Sequence, residues 1–129
     1  MDYVIDTHTL IWYFTNSPRL GSNALSAIEN TINEGLIIVP VIVLSEIMYL
    51  ARKNKIPVSF QETLSKLEGF ENFDIAGLDV DILRTADGIA ADLEMHDKLI
   101  IATAIYLQAD ALLTKDEEIK ASGLVPVIW

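Results

Sequence analysis

No cysteine occurs in the 129 residues of this chain, which excludes disulfide frameworks, cysteine-based zinc sites and thiol nucleophiles. Basic residues are scarce: 9 Lys+Arg stand against 19 Asp+Glu, a formal net charge of −10. Such a surface repels phosphate backbones and argues against loose electrostatic coating of nucleic acid, although a bound cation can reverse the sign locally. Long hydrophobic runs are also missing. The longest, Leu36 to Leu44, is nine residues interrupted by Pro40, whereas about 20 are needed to cross a bilayer. The opening Met1-Asp2-Tyr3-Val4-Ile5-Asp6 lacks the basic stretch of a secretion signal. These absences predict a cytoplasmic location and no membrane association.

What is present is apolar. Hydrophobic residues make up 51% of the chain, above the roughly 45–50% of ordinary domains, so a sizeable core can be filled. At about 150 residues per domain, residues 1–129 are expected to form a single domain. Short apolar runs alternate with longer amphipathic stretches. Strands are predicted at Tyr3 to Ile5, Leu36 to Val39, Phe73 to Leu78, Ala111 to Leu113 and Val125 to Ile128. Helices are predicted from Ser22 (as cap) to Asn33, Val41 to Asn54, Ser59 to Glu68, Asp79 to Leu93, Lys98 to Leu107 and Asp116 to Ala121. Continuously apolar strands alternating with helices indicate an α/β fold, a central parallel sheet covered on both faces.

Four carboxylates are the candidate chemistry. Glu46 sits in a helical segment where Ile42, Val43, Tyr49 and Leu50 share its face. A carboxylate buried there without a partner costs several kcal/mol, so a partner is expected, either a cation or a salt bridge. Asp6 closes the first strand, Asp97 opens an apolar helix, and Asp116 follows the strand Ala111 to Leu113. Singly, the last two are explained as helix caps. Together they share an address, because ligands of open α/β sheets bind beyond the carboxyl ends of the strands. Four carboxylates in one crevice repel each other unless a divalent cation is bound, and Mg²⁺ or Mn²⁺ suits an all-oxygen donor set. Phosphodiester hydrolysis is the chemistry such a cluster supports, with one or two ions. Neutralising Asp97 or Glu46 is expected to relieve repulsion in the metal-free protein.

These residues resemble a known family. Ile5-Asp6-Thr7-His8-Thr9-Leu10-Ile11-Trp12, the isolated Glu46, Asp97-Lys98-Leu99-Ile100-Ile101-Ala102-Thr103-Ala104 and Leu112-Leu113-Thr114-Lys115-Asp116 resemble the PIN-domain pattern, most closely that of VapC-like toxins of toxin–antitoxin pairs. The resemblance implies a three-layer α/β/α sandwich with a Rossmann-like parallel sheet. It also implies a Mg²⁺-dependent ribonuclease cleaving RNA, an antitoxin protein as partner, and a homodimer. Carried over by position, Asp6, Glu46, Asp97 and Asp116 form the acidic metal site, with Thr7 and Thr114 as supporting polar groups. Whether Asp92 or Glu94 joins them is left open by the sequence. The competing expectation is a catalytically degenerate PIN-fold module that only binds protein partners.

Other residues have plainer readings. His8 and His96 neighbour the proposed ligands but are expected to hydrogen-bond locally and titrate in solvent. Trp12, Tyr13 and Phe14 read as packing residues of the helix after the first strand. Arg52, Lys53 and Lys55 cluster after Glu46, and either contact RNA phosphates or form a solvated helix end.

Overall fold

The first apolar run becomes β1 (Asp2–Ile5), with Val4 and Ile5 fully buried. The computed structural model describes residues 1–129. After β1 come α1 (Thr7–Phe14), α2 (Ser22–Asn30), β2 (Leu36–Pro40), α3 (Val41–Arg52) and α4 (Phe60–Gly69). The chain continues through β3 (Phe73–Ala76), α5 (Val80–Asp87), α6 (Met95–Tyr106), β4 (Ala111–Leu113), α7 (Glu117–Ser122) and β5 (Val127–Ile128). All strand pairs are parallel and the spatial order is β3-β2-β1-β4-β5. Helices cover the sheet as the α/β/α reading expects. None is long and apolar enough to cross a membrane.

The order of the strands matters for the site. From β1 the chain builds outward through β2 and β3, then returns to lay β4 on the opposite edge of β1. The direction of winding therefore reverses between β1 and β4, where parallel α/β sheets open a crevice at their carboxyl ends. Helix α6 packs against β1 and β4 and is itself covered by α5. Buried between them, its stretch Leu99 to Ala104 is apolar on every side save Thr103, whose hydroxyl donates to the Leu99 carbonyl.

Element ends depart from the sequence reading in places. Helix α6 begins at Met95, not Lys98: the polar His96-Asp97-Lys98 of its first turn precedes the buried run from Leu99, so the apolar pattern starts later than the helix. Asp97 thus lies inside the first turn, where the helix dipole favours an acid, and Glu94 takes the cap position. Helix α5 stops at Asp87, with Gly88 as its C-cap, and residues 88–94 are irregular. Gly21, not Ser22, occupies the N-cap of α2. The strands β3 and β5 are shorter than their apolar runs.

Candidate active site

Asp6 and Thr114 are neighbours because of register. Ile5 on β1 pairs with Leu113 on β4, and each candidate residue is the next one along its chain. Backbone coupling persists there, since Asp6 N–H donates to the Leu113 carbonyl at 3.3 Å. Asp6 also caps α1, its Oδ1 accepting from the Thr9 amide at 3.0 Å and the Thr9 hydroxyl at 2.5 Å. Its Oδ2 accepts from the Thr114 hydroxyl. Burial pushes the Asp6 carboxyl up, while the hydroxyls of Thr114 and Thr9 oppose that by favouring the charged form.

Thr114 is fully buried and links two acids. Its hydroxyl donates to Asp6 and accepts from the Asp116 amide at 3.1 Å. Asp116 caps α7, with Oδ1 accepting from Glu118 N–H at 2.8 Å and Ile119 N–H at 3.0 Å. Capping and a site role are therefore compatible, because Oδ2 takes no part in the cap. One hydroxyl and two helix starts fix the positions of both carboxylates.

Glu46 enters from the second turn of α3, and Asp97 from the first turn of α6. Both line one cleft of about 220 Å³ with Asp6, Asp116 and Thr7. All four predicted carboxylates thus come together, from four different elements. Glu94 also lines the cleft and Asp92 does not. Burial raises the Asp97 carboxyl to about 6, and the charge of Asp116 adds to the shift.

His96 departs most from its expected reading. Its Nε2 lies 2.8 Å from Oε1 of Glu46 and 3.4 Å from Oγ1 of Thr7. The hydrogen bond to Glu46 raises the imidazole and lowers the carboxyl, both of which favour the ionic form of the pair. The charge of a neighbouring carboxylate is thus among the causes of the Asp97 shift and not of the Glu46 shift. The partner demanded by a half-buried Glu46 is a histidine 50 positions away. Only its adjacency to Asp97 hinted at this.

The carboxylate oxygens of Asp and Glu are the hard donors that Mg²⁺ and Mn²⁺ take, so the donor chemistry of this cleft fits. No three Asp, Glu or His groups converge on one point as they stand. Glu46 is turned to His96, and both oxygens of Asp6 are held by threonines. Only Oε1 of Glu46 is engaged by His96, which leaves Oε2 for an ion shared with the other acids.

The predicted basic cluster lies elsewhere. Arg52 lines a separate depression with Met48 and Phe60, Lys53 Nζ stands 5.8 Å from the Tyr49 ring centroid, and none of Arg52, Lys53 and Lys55 lines the acidic cleft. Basic residues that sequence reasoning passed over, Arg19 and Lys115, line a depression shared with Asp6 and Asp116.

No curated protein matches the chain. Its backbone is similar to VapBC2 from Rickettsia felis bound to a promoter DNA fragment, at 20% identity and TM-score 0.74, covering 98% of this chain and 97% of that one. VapBC-1 from nontypeable Haemophilus influenzae is similar at 17% identity and TM-score 0.68, covering 98% and 96%. Mycobacterium tuberculosis VapC20, a toxin that cleaves the sarcin–ricin loop, is similar at 13% identity and TM-score 0.68, covering 98% and 99%. At these identities the likeness is one of fold. The model of the PIN domain family matches residues 3–123, which takes in Asp6, Glu46, Asp97 and Asp116 alike, and the chain belongs to the PIN domain family.

Proposed function

We propose that this protein is a metal-dependent endoribonuclease, the VapC-like toxin of a toxin–antitoxin pair, hydrolysing phosphodiester bonds of single-stranded or loop RNA. The observation that carries the reading is the meeting of Asp6, Glu46, Asp97 and Asp116 in one cleft at the point where the sheet reverses its winding. These four residues would hold one or two Mg²⁺ or Mn²⁺ ions. Such an ion, when bound, activates water and neutralises charge developing on the phosphate. The protein's own part is positional. Thr114 holds Asp6 and the start of α7 together, and Thr7 faces His96 beside Glu46.

The named relatives support the partner. VapBC2 and VapBC-1 are toxin–antitoxin complexes, and VapC20 is a loop-cleaving toxin. An acidic cleft on a chain of net charge −10 is a natural seat for a basic side chain of an antitoxin tail. Exposed Val80, Leu83, Ile105, Tyr106 and Leu107 on and beside the packed pair α5 and α6 support a homodimer. A cytoplasmic location follows from the same reading.

The test is cleavage of structured RNA by purified protein. Endonucleolytic cuts with Mg²⁺ or Mn²⁺ and none in EDTA are expected, and undiminished cutting in excess chelator overturns the proposal. The degenerate-module reading draws on the Glu46–His96 pair, which occupies one ligand. It predicts no saturable thermal stabilisation by Mn²⁺.

A further inference from the structure

A second depression, about 480 Å³ in volume, shares Asp6, His8 and Asp116 with the acidic cleft but not Glu46 or Asp97. Its wall carries Arg19, Lys115, Trp12 and His8. In a chain with only 9 Lys+Arg, two cations beside two acids would be unremarkable if they neutralised them. They do not. The only ion pairs within 4.0 Å in the molecule are Arg84–Asp81 and His96–Glu46. The side chains of Arg19 and Lys115 are exposed, and neither makes a hydrogen bond. Lys115 Nζ instead stands 5.8 Å from the ring centroid of Trp12, and His8 approaches the same ring at 5.7 Å. Trp12 is half-buried: it packs partly on the core and partly lines the depression. Trp129 braces it edge-on, with centroids 5.7 Å apart.

We infer that this depression binds the nucleotide next to the scissile phosphate of an RNA strand, with Arg19 and Lys115 on its phosphate and Trp12 against its base or ribose. The inference rests on the nuclease reading and deepens it. Cations free of carboxylate partners on the wall of a groove, together with an aromatic ring, are the features of a site for single-stranded nucleic acid. The volume lies within the roughly 300–1,000 Å³ of small-ligand pockets, enough for a nucleotide. Continuity through Asp6 and Asp116 places that nucleotide beside the acidic cleft. It also explains how a chain of net charge −10 would hold a polyanion, since the two cations sit where the strand passes. The basic cluster at Arg52, Lys53 and Lys55 is not needed.

The experiment measures binding of a fluorescein-labelled, randomised 12-nucleotide single-stranded RNA by anisotropy in Mg²⁺. The full chain carries Asp97→Asn to keep the RNA intact. Arg19→Ala and Lys115→Ala should each weaken binding about tenfold and reduce the salt dependence by about one ion. Lys53→Ala should change neither. A 4-thiouridine version of the RNA, cross-linked and mapped by mass spectrometry, should label the segments containing Trp12 or Lys115. Unchanged affinity in the double variant, or cross-links confined to other surfaces, overturns the groove. If the otherwise unaltered chain cuts RNA and the double variant cuts it equally well, the groove falls and the nuclease reading stands. If the unaltered chain neither binds nor cuts RNA, both fall. Loss of antitoxin capture by the double variant with RNA binding intact makes the depression a protein-docking site and also overturns the inference.

Discussion

Nε2 of His96 lies 2.8 Å from Oε1 of Glu46, so one of the four clustered carboxylates has a histidine as its partner. The two side chains, 28% and 32% exposed, are sheltered enough for the pair to matter but not so deeply buried that desolvation cancels it. Within the metal-site reading, His96 holds one oxygen of Glu46 and leaves Oε2 for a divalent cation.

Replacing His96 with alanine should lower metal-free stability by about 1 kcal/mol near pH 6. The sign follows from linkage. The folded-state value of His96 is raised, so its contribution is full below 6.5 and fades as pH rises through that higher value. Glu46 is lowered, so its share is present above 4.5 and is lost on acidification. Chemical denaturation in EDTA at pH 6 and pH 9 should therefore show a gap that shrinks at the higher pH. A gap of equal size at both would mean packing loss, not pairing.

Asp97 and Glu46 should respond oppositely to neutralisation. Burial and the charge of Asp116 hold Asp97 at about 6, above its ordinary 3.8, so the folded state binds the extra proton. Stability from this group falls as pH rises between those values and stays low above them. At pH 7 in EDTA, Asp97→Asn should raise stability by about 1 kcal/mol, since solvent screens much of the repulsion. Glu46→Gln should lower it, because it removes the partner of His96. Thermal melts of the two variants beside the parent chain measure both signs.

Addition of Mg²⁺ should invert the first of these orders. Ligand binding to the folded state stabilises by about 2.7 kcal/mol at a hundred times the dissociation constant. The parent chain should gain this and Asp97→Asn should gain much less. A variant that tracks the parent at every Mg²⁺ concentration would remove Asp97 from the ion site.

Thr114→Val keeps the shape of a fully buried side chain and deletes its hydroxyl. Asp6 Oδ2 loses its donor and the Asp116 amide loses its acceptor. A cost of about 1–3 kcal/mol is expected, with cleavage reduced about 10–100-fold. Thr114→Ser should restore most of both, which separates the hydroxyl from the methyl. Urea titration and a cleavage assay on the three chains provide the check.

Much of this protein is legible in one dimension. Strand positions follow from continuous apolar runs such as Leu36-Ile37-Ile38-Val39, because strands covered on both faces leave no room for alternation. Asp6, Asp97 and Asp116 show themselves as acids at strand ends and helix starts. Glu46 shows itself as a lone charge among apolar neighbours on its helix. Local composition carries these signals, since burial and capping act within a few residues.

What the sequence could not decide depends on which strand lies beside which. Only the order β3-β2-β1-β4-β5 puts β4 next to β1 and so brings Thr114 to Asp6. Only the packing of α6 beside α3 sets His96 against Glu46. That contact reverses the electrostatics of one carboxylate while leaving its neighbour repelled. Arg19 and Lys115 are likewise ordinary surface cations until the fold places them on one wall with Trp12. Hydrogen bonds and ion pairs act over a few ångströms, and chain positions 50 or 108 apart reach that range only through the tertiary structure.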